Sequence, residues 1–361
     1  MEEIDMPILT ANQLINIGSD IFNAMGVPSE EAIRVSESLV GSNLVGHDSH
    51  GVIRIPQYVK LIKNGNIIPG AKMQIVKETP SSAVIDGNWG FGQVLGKKAM
   101  EIAIEKARSK SVSTVTMRQS NHIARLGEYP AIAVENDMIG MTTVNNHGSA
   151  QYMPPWGGIE RRLSPNPLSI GVPSSKYPHV VLDLTTAVVA EGKVRVKLNR
   201  GEKLPEGWII DSEGNPTTDP KDLYGPPPGA ILPFGGIAGH KGFGLGFMVD
   251  VLSGALSGAG CSRVDADKFG NAVFITVINV SDFVPIEEFK SNVDELIDYL
   301  KTSKKMKGVD ELYYPGEVEA KEKEKRLKNG IYVEDETWNQ IVDSAKEVGL
   351  DTNEPNFKPI R

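Results

Sequence analysis

Apolar residues recur at helical spacing in the N-terminal part of the chain, which predicts a small helical unit there. Leu14, Ile17 and Ile21 lie three or four positions apart, so they share one face of a helix. Thr10 precedes them with Gln13 three positions later, the arrangement of an N-terminal capping box. The other helices predicted on the same grounds begin after an N-cap at Ser29 and span 55–62.

Beyond this unit, short apolar runs alternate with helix-spaced segments. Such an alternation is typical of an α/β domain. Proline and glycine are frequent over 154–173 and 205–233, which predicts long ordered loops. The predicted strands span 82–85, 112–117, 138–144 and 272–280, and the predicted helices span 92–106, 128–135 and 242–257.

The C-terminal part of the chain is again helical and rich in charge, with predicted helices over 292–301, 317–328 and 335–348. We expect the two helical ends to pack together beside the α/β body. The sequence therefore predicts an α/β (α+β) fold with a helical domain built from 1–72 and 286–361 and a cofactor- and substrate-binding domain over 73–285.

The glycines from Gly90 to Gly96 follow a strand and open a helix, but they do not form a dinucleotide fingerprint. Their spacing departs from G-x-G-x-x-G, and Trp89 and Phe91 crowd the turn. The next strand ends at Arg118 instead of the acidic residue that would hold a ribose. We therefore predict that the mixed sheet of this domain is not a Rossmann fold.

Charge and cysteine content narrow the class of protein. The formal net charge of -8 and a pI near 5.4 argue against a nucleic-acid partner, which would require a basic face. A single cysteine, Cys261, excludes an internal disulfide. The N-terminus lacks a signal-peptide pattern, and no apolar run is long enough to span a membrane. We expect a cytoplasmic enzyme without a membrane partner.

The segment from Gly46 to Arg54 concentrates acid–base chemistry in nine positions. His50 could carry a proton near neutral pH, and the guanidinium of Arg54 matches a carboxylate in two places. The two residues are four apart, so one helical turn would bring them to the same side. This pattern favours an enzyme that acts on a small 2-hydroxy or 2-oxo acid.

Two other functions would use the same segment. His47, Asp48 and His50 could hold a metal ion in a hydrolase or lyase, although no second cluster supplies the remaining ligands. A non-enzymatic module could use Arg54 as a clamp for a carboxylate. We favour the enzyme without a metal.

A second histidine, His122, lies directly after a strand with Arg125 three positions later. At such a strand end, it would polarise the substrate oxygen, while Arg125 would meet a phosphate or carboxylate. The alternative is a turn in which Asn121 caps a helix. Five of the six histidines lie in predicted loops beside small or polar residues, and we expect at least two to meet at one site.

Three further segments have the chemistry to bind a cofactor without a glycine fingerprint. An apolar strand over 181–186 ends in a carboxylate and two hydroxyls, with Asp183 placed either to accept from a ribose or to cap a following helix. His240 and Lys241 start a helix, where the dipole favours anions. Pro315 to Glu317 precede another helix N-terminus.

Taken in order along the chain, these motifs resemble those of the type 2 malate/L-lactate dehydrogenases, a group that includes sulfolactate, ureidoglycolate and other hydroxycarboxylate dehydrogenases. The resemblance extends from residue 10 to about residue 350. The matching motifs are Gly46-His-Asp-Ser-His-Gly51, Phe91-Gly-Gln93, Ser120-Asn-His122, Pro155-Trp-Gly-Gly158, Asn166-Pro167, Asp183-Leu-Thr-Thr186, Gly192-Lys193, His240-Lys-Gly242 and Pro315-Gly-Glu317.

The resemblance implies a homodimer with the active site near the subunit boundary. It also implies reversible hydride transfer between a nicotinamide and C2 of a small 2-hydroxy acid, without a metal. His50 and Arg54 match the catalytic histidine and the arginine that binds the substrate carboxylate, and His122 matches the second active-site histidine. The residues that match cofactor contacts are His50, Ala124, Arg125, Leu126, Val181, Leu182, Asp183, Leu184, Thr185, His240, Lys241, Asn271, Pro315, Gly316 and Glu317.

Some residues depart from the pattern of the family. Ala124 stands where many members have glycine, and Ser164-Pro165 precede Asn166 where Gly-Thr is common. These differences leave the identity of the 2-hydroxy acid open. We expect NAD as the cofactor, with NADP as the alternative if Arg125, Arg195 or Lys241 meets a 2′-phosphate.

Overall fold

Helices surround one large sheet in the computed structural model, which describes residues 7–147, 150–178, 180–265 and 268–360. The α-helices are α1 (Ala11–Ala24), α2 (Ser29–Leu44), α3 (Ile55–Lys63), α4 (Gly92–Lys110), α5 (Glu128–Val134), α6 (Glu191–Asn199), α7 (Pro220–Tyr224), α8 (Gly239–Asp250), α9 (Ile286–Lys301), α10 (Glu317–Asn329) and α11 (Asp335–Glu347). The strands are β1 (Ile8–Leu9), β2 (Gln74–Thr79), β3 (Ser82–Asp86), β4 (Val112–Ser120), β5 (Met138–His147), β6 (Pro167–Val172), β7 (Val180–Thr185), β8 (Ile209–Ile210), β9 (Pro216–Thr217), β10 (Ala230–Ile231), β11 (Gly270–Asn279) and β12 (Ile331–Tyr332).

The large sheet has seven strands in the order β2-β3-β4-β11-β5-β6-β7. The pair β3–β4 is parallel, and the other neighbours are antiparallel. A Rossmann domain would have a mostly parallel sheet. The predicted mixed, non-Rossmann α/β fold is therefore confirmed. Within the described residues, no helix is both long and apolar enough to cross a membrane.

The two ends of the chain meet in one hydrophobic cluster. β1 pairs with β12, and Leu14 and Ile17 of α1 are buried with Ile341 of α11. α9 lies elsewhere, against the loop that follows β6, where Ser174 donates a hydrogen bond to Asp294. The division into domains at 72/73 and 285/286 stays a prediction.

Several elements differ from the sequence predictions. Ser29 is the first residue of α2 instead of its N-cap, because Pro28 takes the capping position. The helix predicted over 242–257 begins at Gly239 and continues after Asp250 as a π-helical turn. The predicted loop over 154–173 contains strand β6. The capping box of Thr10 and Gln13, in contrast, is confirmed.

Candidate active site

The loop between α2 and α3 is built around the side chain of Asn43. Its amide nitrogen donates to Asp48 Oδ1 at 2.6 Å, and its amide oxygen accepts from the backbone of Val52 at 2.8 Å. A Cβ at Gly51 would lie 2.2 Å from Asn43 Oδ1, so the close approach requires glycine. His50 and the residues after Gly51 consequently lie in two separate 3₁₀ turns, and the single helical turn that we expected does not form.

Helix α10 fixes this loop from the other side. Arg326 donates to both carboxylate oxygens of Asp48, at 2.6 and 3.1 Å, and to the carbonyl of Asn43 at 2.7 Å. His47 Nε2 lies 3.3 Å from Glu319. Two of the three groups that could have formed a metal site therefore have other partners. Among the described residues, no cluster of histidine, cysteine and carboxylate side chains could hold a metal ion.

His50 and His122 meet at the centre of the candidate site. Their rings stack with centroids 5.5 Å apart and an angle of 21° between the planes. His122 comes from the loop that leaves the carboxyl end of β4, whereas His50 comes from the loop after α2. The side chain of His147 and the whole of His179 lie outside the described residues. A small substrate that contacts one of the two stacked rings is therefore within reach of the other.

Both imidazoles are held in the neutral state at neutral pH. Burial, with the nearby charges of Arg54, His47 and Arg125, lowers the pKa of His50 from its usual 6.5 to about 3. Burial, the charge of Arg54 and the repulsion that a protonated His50 would exert lower the pKa of His122 well below its usual value. A neutral imidazole can accept the proton of a hydroxyl group. A substrate carboxylate bound to Arg54 would offset that positive charge and raise both pKa values.

We expect the low pKa of His50 to make the protein less stable in acid. Between pH 6.5 and about 3, the unfolded chain binds a proton at His50 that the folded protein does not bind, so the free energy of unfolding falls as the pH falls through this window. The replacement His50→Asn should reduce this slope, by up to ~1.4 kcal/mol per pH unit. Urea unfolding at several pH values in this range measures the slope; equal slopes in the two proteins would contradict the expectation.

Arg54 is held so that part of its guanidinium remains available. Its Nε donates to the carbonyl of Ser49 at 2.7 Å, and its Nη1 donates to Gln57 at 2.8 Å. Its Nη2 has no hydrogen-bond partner in the described part of the chain. The positive charge lies close enough to both stacked histidines to lower their pKa values. Arg54 could therefore bind an anionic group of a ligand while the adjacent atoms of that ligand contact the rings of His50 and His122.

The loop after β4 is tied to the end of β7 by Asp183. The carboxylate accepts from the backbone of Gly127 at 2.8 Å and lies 3.4 Å from Arg125. Asn271 accepts from the backbone of Ile123 in the same loop at 3.1 Å. The alternative role of Asp183 as a helix cap is wrong, because α6 begins after a cap at residue 190. Arg125, Asp183 and Asn271, which were predicted to contact the cofactor, are therefore brought together.

Ala124 shows why glycine would suit its position. It has a φ of 59°, in the left-handed region that side chains other than glycine disfavour. Its side chain packs into the hydrophobic cluster formed by the chain ends. The loop therefore keeps the backbone conformation that glycine would adopt more easily, at the cost of some strain.

The predicted cofactor segments at 181–185 and 315–317 also meet. The backbone of Val181 donates to the carbonyl of Pro315 at 3.1 Å. Glu317, at the start of α10, is buried and pairs with Lys301 at 2.7 Å and Lys321 at 3.4 Å. Burial opposes ionisation of Glu317, but the hydrogen bond from Lys301 contributes to a net lowering of its pKa. The other members of these segments are Leu182, Leu184, Thr185 and Gly316.

His240 and Lys241 start α8, as predicted, and both side chains are exposed. The ring of Trp156 lies edge-on to His240 at a centroid distance of 5.9 Å. The backbone of Phe234, just before this helix, donates to Thr186 at 3.1 Å. The predicted cofactor segment formed by His240 and Lys241 is therefore linked to the end of β7 through the residues just before α8.

Sequence reasoning missed the roles of three residues that organise the site: Asn43, Tyr58 and Gln93, of which only Gln93 belonged to a matching motif. Tyr58 Oη lies 2.7 Å from His122 Nδ1, and Gln93 Nε2 donates to Tyr58 Oη at 2.7 Å. All three are buried polar or partly polar side chains. One signal in the sequence could have identified Gln93: it is a polar residue on the buried face of a predicted helix, α4.

Comparison with known proteins gives a consistent result over nearly the whole chain. A family model described as malate/L-lactate dehydrogenase matches residues 9–342. The L-sulfolactate dehydrogenase of Methanocaldococcus jannaschii is 41% identical over 338 residues, which cover 92% of this chain and 94% of that protein. The malate dehydrogenase of Pyrococcus horikoshii is 38% identical and covers 92% of each chain. A crystal structure of malate dehydrogenase from Entamoeba histolytica superposes with a TM-score of 0.90 at 29% identity, over 96% of this chain and 99% of that one.

Proposed function

The chain belongs to the malate/L-lactate dehydrogenase family, and we propose that its His50, Arg54 and His122 carry out the chemistry of that family. The protein is accordingly a nicotinamide-dependent 2-hydroxycarboxylate dehydrogenase. The observation that supports the proposed roles is the stacked pair of neutral histidines beside a guanidinium group.

Each of the three residues has a distinct task in this proposal. Arg54 binds the C1 carboxylate through its available N–H groups. The hydroxyl oxygen at C2 then lies within hydrogen-bonding reach of a nitrogen of each imidazole, where neutral His50 accepts the hydroxyl proton. His122 forms a hydrogen bond to the same oxygen as it becomes a carbonyl. In the reverse direction, protonated His50 returns the proton to the carbonyl oxygen.

The residues present suit a nicotinamide cofactor at the edge formed by β4, β7 and the start of α10. This edge offers the carboxylate of Asp183 as an acceptor for ribose hydroxyls, and the guanidinium of Arg125 and backbone N–H groups as donors to a pyrophosphate. When bound there, the cofactor would accept or supply the hydride through C4 of its nicotinamide ring. Asp183 holds the Gly127 backbone and thereby fixes the loop that carries His122.

Acids with a second anionic group are the proposed substrates. Malate and sulfolactate, the acids named for the two relatives described above, share a hydroxyl group beside a carboxylate and carry a further acidic group. Both Arg54 and Arg125 lie close enough to His50 to lower its pKa, so Arg125, which Asp183 shares at 3.4 Å, is a second cation near the place of the C1 carboxylate. Lactate, which has one carboxylate, should therefore be the poorer substrate.

NAD is the proposed cofactor because the cations near two of the three cofactor segments, 181–185 and 315–317, are already paired. Arg125 lies against Asp183, and Lys301 and Lys321 lie against Glu317, so a 2′-phosphate would have to break an ion pair to find a partner there. We expect kcat/KM for NADH to exceed that for NADPH by more than about tenfold, a difference of ~1.4 kcal/mol.

Initial rates with both cofactors and a panel of oxaloacetate, sulfopyruvate and pyruvate test the cofactor and the substrate together. A ratio reversed in favour of NADPH would contradict the proposed cofactor and direct attention to Lys241, an exposed cation at the third cofactor segment. Pyruvate as the best substrate would contradict the preference for a second anionic group.

A homodimer is part of the proposal. Large apolar side chains are exposed at Phe247 and Met248 of α8 and at Leu256, directly after the π-helical turn. Several large exposed apolar side chains on one stretch of chain are typical of a protein interface. A second copy of the chain would cover them, in keeping with the dimer implied by the resemblance to the family.

A further inference from the structure

A row of hydrogen-bonded side chains leads from the interior of the protein to the ring of His122. Gln93 Nε2 donates to Tyr58 Oη at 2.7 Å, and Tyr58 Oη lies 2.7 Å from His122 Nδ1. Gln93 is 0% and Tyr58 1% exposed. The ring of Tyr58 is held edge-on by Phe91 at a centroid distance of 6.2 Å. Buried groups in such a row have little freedom to change partners.

The Tyr58 hydroxyl has one acceptor for its hydrogen bond, Nδ1 of His122. Burial raises the pKa of Tyr58, so the hydroxyl stays protonated. Its oxygen already accepts from Gln93, and its own O–H therefore points at Nδ1 of His122. A neutral imidazole accepts a hydrogen bond at one nitrogen and donates at the other. The ring proton of His122 consequently lies on Nε2.

The opposite direction of hydrogen bonding is disfavoured by Gln93. If its amide were turned, Oε1 would accept from Tyr58, and the buried N–H groups would lose Tyr58 Oη, the acceptor that they now have. In the arrangement present, Oε1 of Gln93 and one N–H of its amide lack a partner in the described residues. The two arrangements therefore differ in whether the carbonyl oxygen or a second N–H group is left unpaired, and a buried N–H group without a partner is the rarer of the two in proteins.

We propose that Tyr58 and Gln93 are positioning residues that hold His122 as the Nε2–H tautomer, so that His122 donates to the substrate oxygen and leaves proton transfer to His50. During oxidation, the O–H proton of the alcohol passes to His50 and the hydride leaves C2 for the cofactor, while His122 keeps its own proton and binds the new carbonyl oxygen. This assignment rests on the proposed function and deepens it.

His50 has surroundings that suit a proton carrier. Its Nδ1 lies 3.1 Å from the hydroxyl of Ser49, and Ser49 is exposed. The hydroxyl can both donate and accept, so it can serve either state of the ring while a proton is exchanged with water. The partner of His122 is instead a buried phenol that donates. The two histidines are therefore not interchangeable.

Nuclear magnetic resonance of the ring nitrogens tests the tautomer directly, without reference to activity. Protein labelled with ¹⁵N-histidine is compared with His122→Gln to assign the resonances of His122. We expect the Nε2–H tautomer in the wild-type protein and a mixture of tautomers in Tyr58→Phe, which keeps the aromatic packing. The Nδ1–H tautomer in the wild type, or no change in Tyr58→Phe, would overturn the proposal.

Kinetics of Tyr58→Phe supply a second readout. Loss of the hydroxyl should lower kcat about tenfold, with little change in KM for the acid. It should also move the acidic limb of kcat/KM to higher pH, because the lost hydrogen bond favoured neutral His122. Gln93→Met should show the same changes to a smaller degree. An unshifted limb in both variants would contradict the positioning role.

Tyr129→Phe is the matched control. Tyr129 is an equally buried tyrosine whose hydroxyl donates to the carbonyl of Ile123 in the same loop. Tyr129→Phe removes a buried hydroxyl group that does not contact a histidine. The acidic limb of kcat/KM in this variant should match that of the wild type. If His122→Gln keeps the wild-type kcat, the proposed catalytic role of His122 fails, while the nuclear magnetic resonance experiment still decides the tautomer.

Discussion

Replacement of His50 by alanine is expected to lower kcat by about 10²–10⁴-fold, the range that general acid–base catalysis contributes. The structure gives the reason: neutral His50 is the group beside Arg54 that can take the hydroxyl proton and pass it on through Ser49. Steady-state rates in both reaction directions measure the effect. KM for the acid should change much less than kcat, because Arg54 is untouched.

Two controls make the loss of His50 interpretable. His50→Gln keeps a polar side chain of similar length without a titratable ring, and it should be as slow as the alanine variant. Thermal unfolding of each variant shows whether the loop held by Asn43 survives. A folded His50→Ala protein with a kcat near that of the wild type would exclude His50 as the proton carrier.

Replacement of Arg54 by alanine should chiefly raise KM for the acid. Each hydrogen bond to a charged group contributes about 1.5–3 kcal/mol, which corresponds to roughly 10–150-fold in KM. Arg54→Lys keeps the charge but loses the planar fork, so it should recover only part of the affinity. KM measured for the acid and for the cofactor separates the two sites, because only the former should change greatly.

Arg108→Ala provides the matched control for Arg54. Arg108 lies in the last turn of α4 and pairs with Glu105 on the surface, away from both histidines. Its loss should leave KM for the acid unchanged. If Arg54→Ala and Arg108→Ala were to give the same KM for the acid, Arg54 would not be the carboxylate clamp.

Local chemistry explains which elements the sequence could predict. The capping box at Thr10 and the apolar spacing after it depend on neighbouring residues, and the structure reproduces both. The absence of an acidic residue after β4 excluded a Rossmann fold. In the structure, Arg118 lies near the end of β4 and pairs with Asp86 of β3 at 3.2 Å. This residue therefore links two strands of the sheet and does not bind a ribose.

Long-range pairing explains what the sequence could not predict. β1 and β12 are two residues long and pair across almost the whole chain, and all six residues of edge strand β2 are exposed, so neither has a local hydrophobic pattern. Within the site, the motif residues His50 and His122 were identifiable by type. Tyr58 was not, and Gln93 was noted only within a matching motif, because their roles arise from contacts between α3, α4 and the loop after β4.

The central claim is that hydride moves directly between the nicotinamide and C2 of the acid while His50 moves the proton. Its most direct test follows deuterium from NADH labelled at the transferable C4 position, with EDTA present and oxaloacetate as the acceptor. The account predicts one deuterium at C2 of the malate product, formed rapidly by the wild type and at least about a hundredfold more slowly by His50→Ala. Product without deuterium at C2, or equal rates in the two proteins, would contradict it.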